Sequence, residues 1–204
     1  MSEKCLFDVL KNYGFEIDEN FIKEYHIETV NHVIRCFEMA REFGLYLGLN
    51  EEELDLLGKC ALLHDIGKFQ LDKNILYKVD KLSDEEIVHI KSHTELKNID
   101  DIKSVEGIIL DSIKYHHDNF ICTGYNKINV GEKHCFVRII SIIDAFDAMT
   151  YKRCYAKRSL TYGEALKEIF KHLGKQFDLF YGNEFIKFIK SNNYMDIKVI
   201  IIWI

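Results

Sequence analysis

Five histidines and two aspartates stand where helices could bring them to a common centre: His32, His64, Asp65, His93, His116, His117 and Asp144. His32 sits in a helical pattern, His64 and Asp65 end the next one, His93 lies on a third, and His116 and His117 end a fourth. Asp144 is embedded in an apolar run, between Ile139–Ile143 and Ala145–Met149, where an unpaired charge would be costly. Imidazole and carboxylate together suit first-row transition metals, with Fe, Mn, Co, Ni and Zn all admissible. Any one of these residues alone would read as a structural histidine, or as an aspartate paired with Arg138 or Lys152. Their joint presence at helix ends and on successive helices points to a shared metal.

The elements that must position them are helical. Phe21 to about Leu47 carries Val30, Val33, Ile34, Phe37, Met39, Ala40 and Phe43 at helical spacing. Glu51 to His64 reads as a second helix with acids in its first turn. Ser83 with Glu86 is a capping box opening a third helix through His93. Ser104 to about His116 is a fourth, followed by a loop from Asp118 to Lys133. Phe136 to about Thr150 reads as a central helix. Thr161 with Glu164 caps another to about Leu173, and Phe185 to Ile189 suggests a last short one. Without alternation to support a sheet, the expected class is all-α, in one domain over residues 21–190. A short lead (1–20) precedes it and an apolar tail (191–204) follows.

The 204 residues carry a net charge of −6, which argues against a partner such as long nucleic acid. A small anionic substrate stays open, because steering depends on local charge. From Met149 to Gly163 there are four basic residues (Lys152, Arg153, Lys157, Arg158) and no acidic ones, although such a run is often only a solvated turn. Six cysteines without a C-x-x-C pair read as reduced thiols of a cytoplasmic protein. No signal peptide is read at the start, and the tail Ile197–Ile204 is too short to span a bilayer.

The segment Ala61-Leu62-Leu63-His64-Asp65-Ile66-Gly67-Lys68 resembles the defining motif of the HD superfamily. The likeness extends to its HD-GYP subgroup. Glu28-Thr-Val-Asn-His32-Val-Ile-Arg35 resembles the subgroup's first helix, Ile90-Lys91-Ser92-His93 its next ligand segment, and Tyr115-His116-His117-Asp118 its double-His motif. Gly124-Tyr125-Asn126 stands where the name-giving Gly-Tyr-Pro lies. Ile142 to Thr150, followed by Arg153 and Tyr155, resembles the last motif, and Gln176-Phe177-Asp178 the C-terminal signature. The resemblance implies an HD-domain helical bundle, with metal ligands from successive helices, that hydrolyses a cyclic dinucleotide, cyclic di-GMP above all. It implies two or three divalent metals, commonly iron or manganese, held by His32, His64, Asp65, His93, His116, His117 and Asp144. Glu28 matches an extra ligand of three-metal members, and its i, i+4 spacing from His32 is consistent with one helix face. Two metals would share Asp65 and a bridging hydroxide, with Lys68 stabilising charge on the phosphate. Arg153 matches a phosphate-binding position, Tyr125 and Lys157 are further substrate-binding candidates, and a homodimer is compatible with the reading.

The departures surround the substrate rather than the metals. Asn126 replaces the motif's Pro, Asp118 is one methylene shorter than the usual Glu, and Ala156 replaces a basic residue. Other nucleotide substrates therefore stay open. So do a nucleotide phosphohydrolase or di-iron oxygenase of the same superfamily, and a non-catalytic metal-bound signalling module.

Overall fold

The two helix starts expected from their capping boxes form, and a third reciprocal cap, at Asn50, joins them. In a computed structural model describing residues 6–8, 11, 26–95, 107–151 and 159–191, Asn50, Ser83 and Thr161 each accept a hydrogen bond from the backbone N–H three residues on. The Glu at that position reaches back to the cap's own N–H. Eight α-helices follow in order among the described residues: α1 (Ile27–Tyr46), α2 (Glu51–Leu63), α3 (Lys73–Leu76), α4 (Asp84–Lys91), α5 (Gly107–Tyr115), α6 (Cys135–Thr150), α7 (Tyr162–Lys171) and α8 (Leu179–Ser191). The described residues form no strand, only two isolated bridges, Asp118 with Gly124 and Leu173 with Phe177. The all-α expectation stands.

α6 is the central element. Ten of its residues are buried, from Phe136 to Asp147. It packs against α1, α2, α5, α7 and α8, while α1 and α2 form an extensive pair of their own. Phe43 of α1, Phe146 of α6 and Phe185 and Phe188 of α8 are buried together, with Phe185 edge-on to both Phe43 and Phe146 at 5.2 Å between centroids. Leu6 and Phe7, in the stretch expected only to lead into the domain, are buried in the same core.

Several boundaries differ from the sequence reading. α8 spans Leu179–Ser191 rather than only Phe185–Ile189, because Asp178 caps it by accepting from the N–H groups of Phe180 and Tyr181. The helix through His93 ends at Lys91, and His93 sits in a 3₁₀ turn, Ser92–Thr94. A further 3₁₀ turn, Ile66–Gln70, carries Lys68. The expected helix start at Phe21, the tail and the phosphate candidates Arg153 and Lys157 lie outside the described residues. None of the described helices is long and apolar enough to cross a membrane.

Candidate metal centre

His64 and Asp65 stand at the C-terminal end of α2, where the chain tightens into the 3₁₀ turn. Gly67 in that turn runs so close to the 92–94 turn that a Cβ there would lie 1.9 Å from the His93 carbonyl oxygen. Only a glycine permits this approach, which sets His93 against Asp65. His116 and His117 follow α5, His32 comes from α1, and Asp144 from the buried face of α6.

Seven residues expected from the sequence meet here. His32, His64, Asp65 and Asp144 form one group able to hold a metal, and Asp65, His93, His116 and His117 form a second. Asp65 belongs to both. His32 Nε2 lies 3.2 Å from Asp144 Oδ1, 3.4 Å from Asp65 Oδ2 and 3.3 Å from His64 Nε2. The other oxygen of Asp65 faces His93 Nε2 at 3.4 Å and His116 Nε2 at 3.6 Å.

Tautomers are set from behind. The Nδ1 of His64 hydrogen-bonds the Ala61 carbonyl at 2.8 Å, that of His93 the Ile90 carbonyl at 2.6 Å, and that of His116 the Ser112 and Ile113 carbonyls at 3.0 Å. A carbonyl only accepts, so each Nδ1 carries the proton and each Nε2 presents its lone pair to the centre. His32 Nδ1 instead meets Asp147 Oδ2 at 2.7 Å, and Asp147 also takes a two-pronged bond from Arg35, both prongs 2.7 Å. The Arg35 guanidinium lies 3.8 Å over the Tyr151 ring.

A metal fits these residues. Asp65 Oδ1, His93 Nε2 and His116 Nε2 are buried and have no hydrogen-bond partner among the described residues. Such orphaned atoms are costly unless a cation answers them. Electrostatics agree. Burial alone would raise Asp65, but Lys68 and the surrounding imidazoles hold its carboxyl well below the usual range. Asp144 is likewise held low against its burial by His32, His117 and His64. Burial pushes His64 down, His93 down to about 4 and His117 well below its ordinary value, leaving neutral imidazoles of the kind metals bind. His32 goes the other way: burial would lower it, yet Cys36 and the carboxylates of Asp144, Asp147 and Asp65 raise it well above normal. Burial pushes the Cys36 thiol up to about 11, so at neutral pH the carboxylates are the charges that act.

Lys68 pairs with Asp65 and lines a cavity of about 570 Å³ beside the centre. Tyr125, about one-third exposed, lines the same cavity, with its ring 4.7 Å from that of His117 and the Lys91 ammonium 5.0 Å above it. Glu28 is not brought in: it is exposed in the first turn of α1 and belongs to neither group. Spacing puts it on the face of His32 but one turn nearer the helix end.

Sequence reasoning left Arg35 and Cys36 without roles. Their only signal was the i+3 and i+4 spacing from His32. Asp147 supports His32 directly. The loop departures prove to be one feature. Buried Asp118 accepts from the backbone N–H groups of Asn126 and Lys127 and from the Asn126 side chain, all at 2.8 Å, and that same Asn126 amide also bonds the Lys114 carbonyl. Gly124 is required at the turn, with φ +145° and no room for a Cβ against His117 and Asp118.

Comparison with known proteins agrees with this architecture. The chain is 30% identical over 179 residues to the cyclic di-GMP phosphodiesterase response regulator RpfG of Xanthomonas campestris pv. campestris, covering 78% of this chain and 47% of the relative. It is 28% identical to a cyclic di-GMP phosphodiesterase of Thermotoga maritima (91% and 52%), and 27% identical to the 3′3′-cGAMP-specific phosphodiesterase 2 of Vibrio cholerae (78% and 31%). The chain thus spans about half or less of these relatives. Among solved structures, Bd1817, a HDG"Y"P protein from Bdellovibrio bacteriovorus, shares the fold with a TM-score of 0.62 at 20% identity, over 78% of this chain and 52% of that one. The HD domain family matches residues 29–149, more than half of the chain, so the protein whose helices converge on this centre belongs to the HD domain family.

Proposed function

We propose that this protein is a metal-dependent phosphodiesterase that opens a cyclic dinucleotide, with cyclic di-GMP the first substrate to test. The observation that carries the reading is the set of buried, unpartnered ligand atoms on Asp65, His93 and His116, beside a cavity lined by Lys68. Two divalent transition metals, iron or manganese, would be held by His32, His64, Asp65 and Asp144 on one side and by Asp65, His93, His116 and His117 on the other. When bound, such ions supply Lewis acidity and a water activated near neutral pH.

The chain's own groups do the rest. Asp65 has two oxygens facing different ligand groups, which suits it to serve both ions. Lys68 is held at the cavity edge by Asp65, where its ammonium can hydrogen-bond a non-bridging phosphoryl oxygen as charge builds there. Tyr125 offers a ring for a base to stack against. The motif likeness supports Arg153 and Lys157 as further phosphate contacts, with guanidinium geometry suited to the task. Relatives named for cyclic di-GMP and for 3′3′-cGAMP support the class, a cyclic dinucleotide, more than either member. The buried, reduced thiol of Cys36 favours a reducing compartment such as the cytoplasm.

The test is to incubate manganese- or iron-loaded protein with cyclic di-GMP, 3′3′-cGAMP and their linear products. Conversion of a cyclic to a linear dinucleotide is expected, and it should vanish, together with metal content, in Asp65→Ala. Turnover of mononucleotides alone would overturn the reading. Tight binding without turnover would instead favour the signalling module.

A further inference from the structure

Two cavities share His117 in their linings, one bounded by His116 and Asp144 of the ligand cluster and the other by His93 and Lys68. The larger, already described, combines aliphatic side chains such as Ile75, Leu76, Val79 and Ile90 with the lysines Lys68, Lys78 and Lys81. The smaller, about 390 Å³, is bounded by Asp144 and His116 at the cluster and has no lysine among its described lining residues. Ala148, Met149 and Phe177 give it apolar contact faces, while Asn119, His172 and Gln176 bring hydrogen-bonding groups. A cyclic dinucleotide is two nucleosides closed by two phosphodiesters. With one phosphate at the cluster, one nucleoside falls on either side, and each cavity is of a size that takes a small ligand group.

We infer that the smaller cavity is the second nucleoside subsite and that Gln176 reads the base held there. The inference rests on the cyclic dinucleotide reading above. Gln176 is anchored through its backbone: its N–H bonds the His172 carbonyl at 3.0 Å, and its carbonyl accepts from Phe120 N–H at 3.2 Å. Its side-chain carboxamide makes no hydrogen bond with the described residues. A fixed backbone with an uncommitted carboxamide on a cavity wall is a preorganised reader. One acceptor and two donors allow a two-pronged bond to adenine at N6 and N7, or to guanine at O6 and N1–H; these are different edges of the ring, so a base seated in one orientation meets only one of the two. His172 stands beside it with Nδ1 committed to the Glu168 carbonyl at 2.9 Å, which leaves Nε2 for the ligand.

The experiment measures kcat/KM for cyclic di-GMP, cyclic di-AMP and 3′3′-cGAMP in wild type, Gln176→Ala and Gln176→Glu, with metal content determined for each. Wild type is expected to discriminate at least about tenfold among the three, the scale of one lost hydrogen-bonded pair. Gln176→Ala should compress that ratio to within about threefold. Gln176→Glu accepts but does not donate, so its ratio should move toward guanine, which presents two donors, N1–H and the 2-amino group. Metal content should stay constant. An equal loss for all three substrates would mark Gln176 as structural only and overturn the inference, as would unchanged ratios. Wild type that cleaves none of the three would overturn the parent reading and this one together, whereas cleavage with unaltered variants would overturn only this one.

Discussion

Asp147 shows how one buried carboxylate can govern a site it does not face. It has no exposure, grips His32 Nδ1, and is itself neutralised by the Arg35 fork, whose guanidinium rests on Tyr151. Partners behind a ligand histidine orient the ring and raise its basicity, and their loss typically weakens metal binding about 10–100-fold. Asp147→Asn should therefore weaken manganese affinity by that factor in a titration followed by calorimetry, with helix content retained by circular dichroism. Affinity within twofold of wild type would sink this role. The histidines also set a pH window. His93 titrates at about 4 in the folded protein against 6.5 when free, and burial shifts His64 and His117 the same way. The unfolded chain then binds more protons between these values, so this part of the stability is present above pH 6.5 and is lost as pH falls toward 4. His32, shifted upward, exerts its effect above 6.5 and does not offset the loss. The lowered carboxylates Asp65, Asp144 and Asp147 act below 3.8, the ordinary value of an aspartate. Metal-free protein should accordingly lose stability steadily from pH 6.5 to 4 in denaturant titrations. A flat profile there would contradict the buried neutral imidazoles.

At the scale of elements, the loop after α5 decides how the cavities are walled. Asp118 and Asn126 close it from within, while the N–H groups of Phe120 and Ile121 bond the carbonyls of Gln176 and Lys175 and tie it to the turn between α7 and α8. The two residues that depart from the family pattern therefore compensate each other: the shorter acid is met by an amide side chain that a proline would lack. Asn126→Ala removes both side-chain bonds and leaves buried Asp118 with only its backbone donors. A cost of about 1–3 kcal/mol is expected in chemical denaturation. Faster proteolysis or hydrogen exchange between 118 and 127 should accompany it, and unchanged protection there would show that the loop is held by other means.

For the whole molecule, the metal centre and the aromatic core stabilise the same bundle by different means. Phe185 joins α8 to α1 and α6 through Phe43 and Phe146, all of them buried. Phe185→Ala should cost about 3–5 kcal/mol, a large share of the roughly 5–15 kcal/mol that holds a domain folded. Because no ligand lies on α8, manganese should still raise the variant's melting temperature. At a free concentration of a hundred times Kd the gain is about 2.7 kcal/mol, and chelation should remove it. A variant that no longer responds to metal would mean that α8 is coupled to the centre.

Much of this was legible in the residues themselves. Ligand types, their order on successive helices and the capping boxes at Ser83 and Thr161 are local facts, because helical period and cap chemistry depend on a few neighbouring side chains. That determined the all-α class and pointed to the seven residues that meet at the centre. Glu28 stays outside both groups, because spacing reports which face a residue shares, not how deep it lies. Tertiary structure alone decided which imidazole nitrogen is free, since that depends on backbone carbonyls at Ala61, Ile90 and Ser112 brought within reach by helix geometry. It alone joined Arg35, Asp147 and His32 across 112 and 115 positions of sequence, and it alone opened two cavities of different character at His117. Such contacts arise from packing between distant segments, which no local pattern encodes.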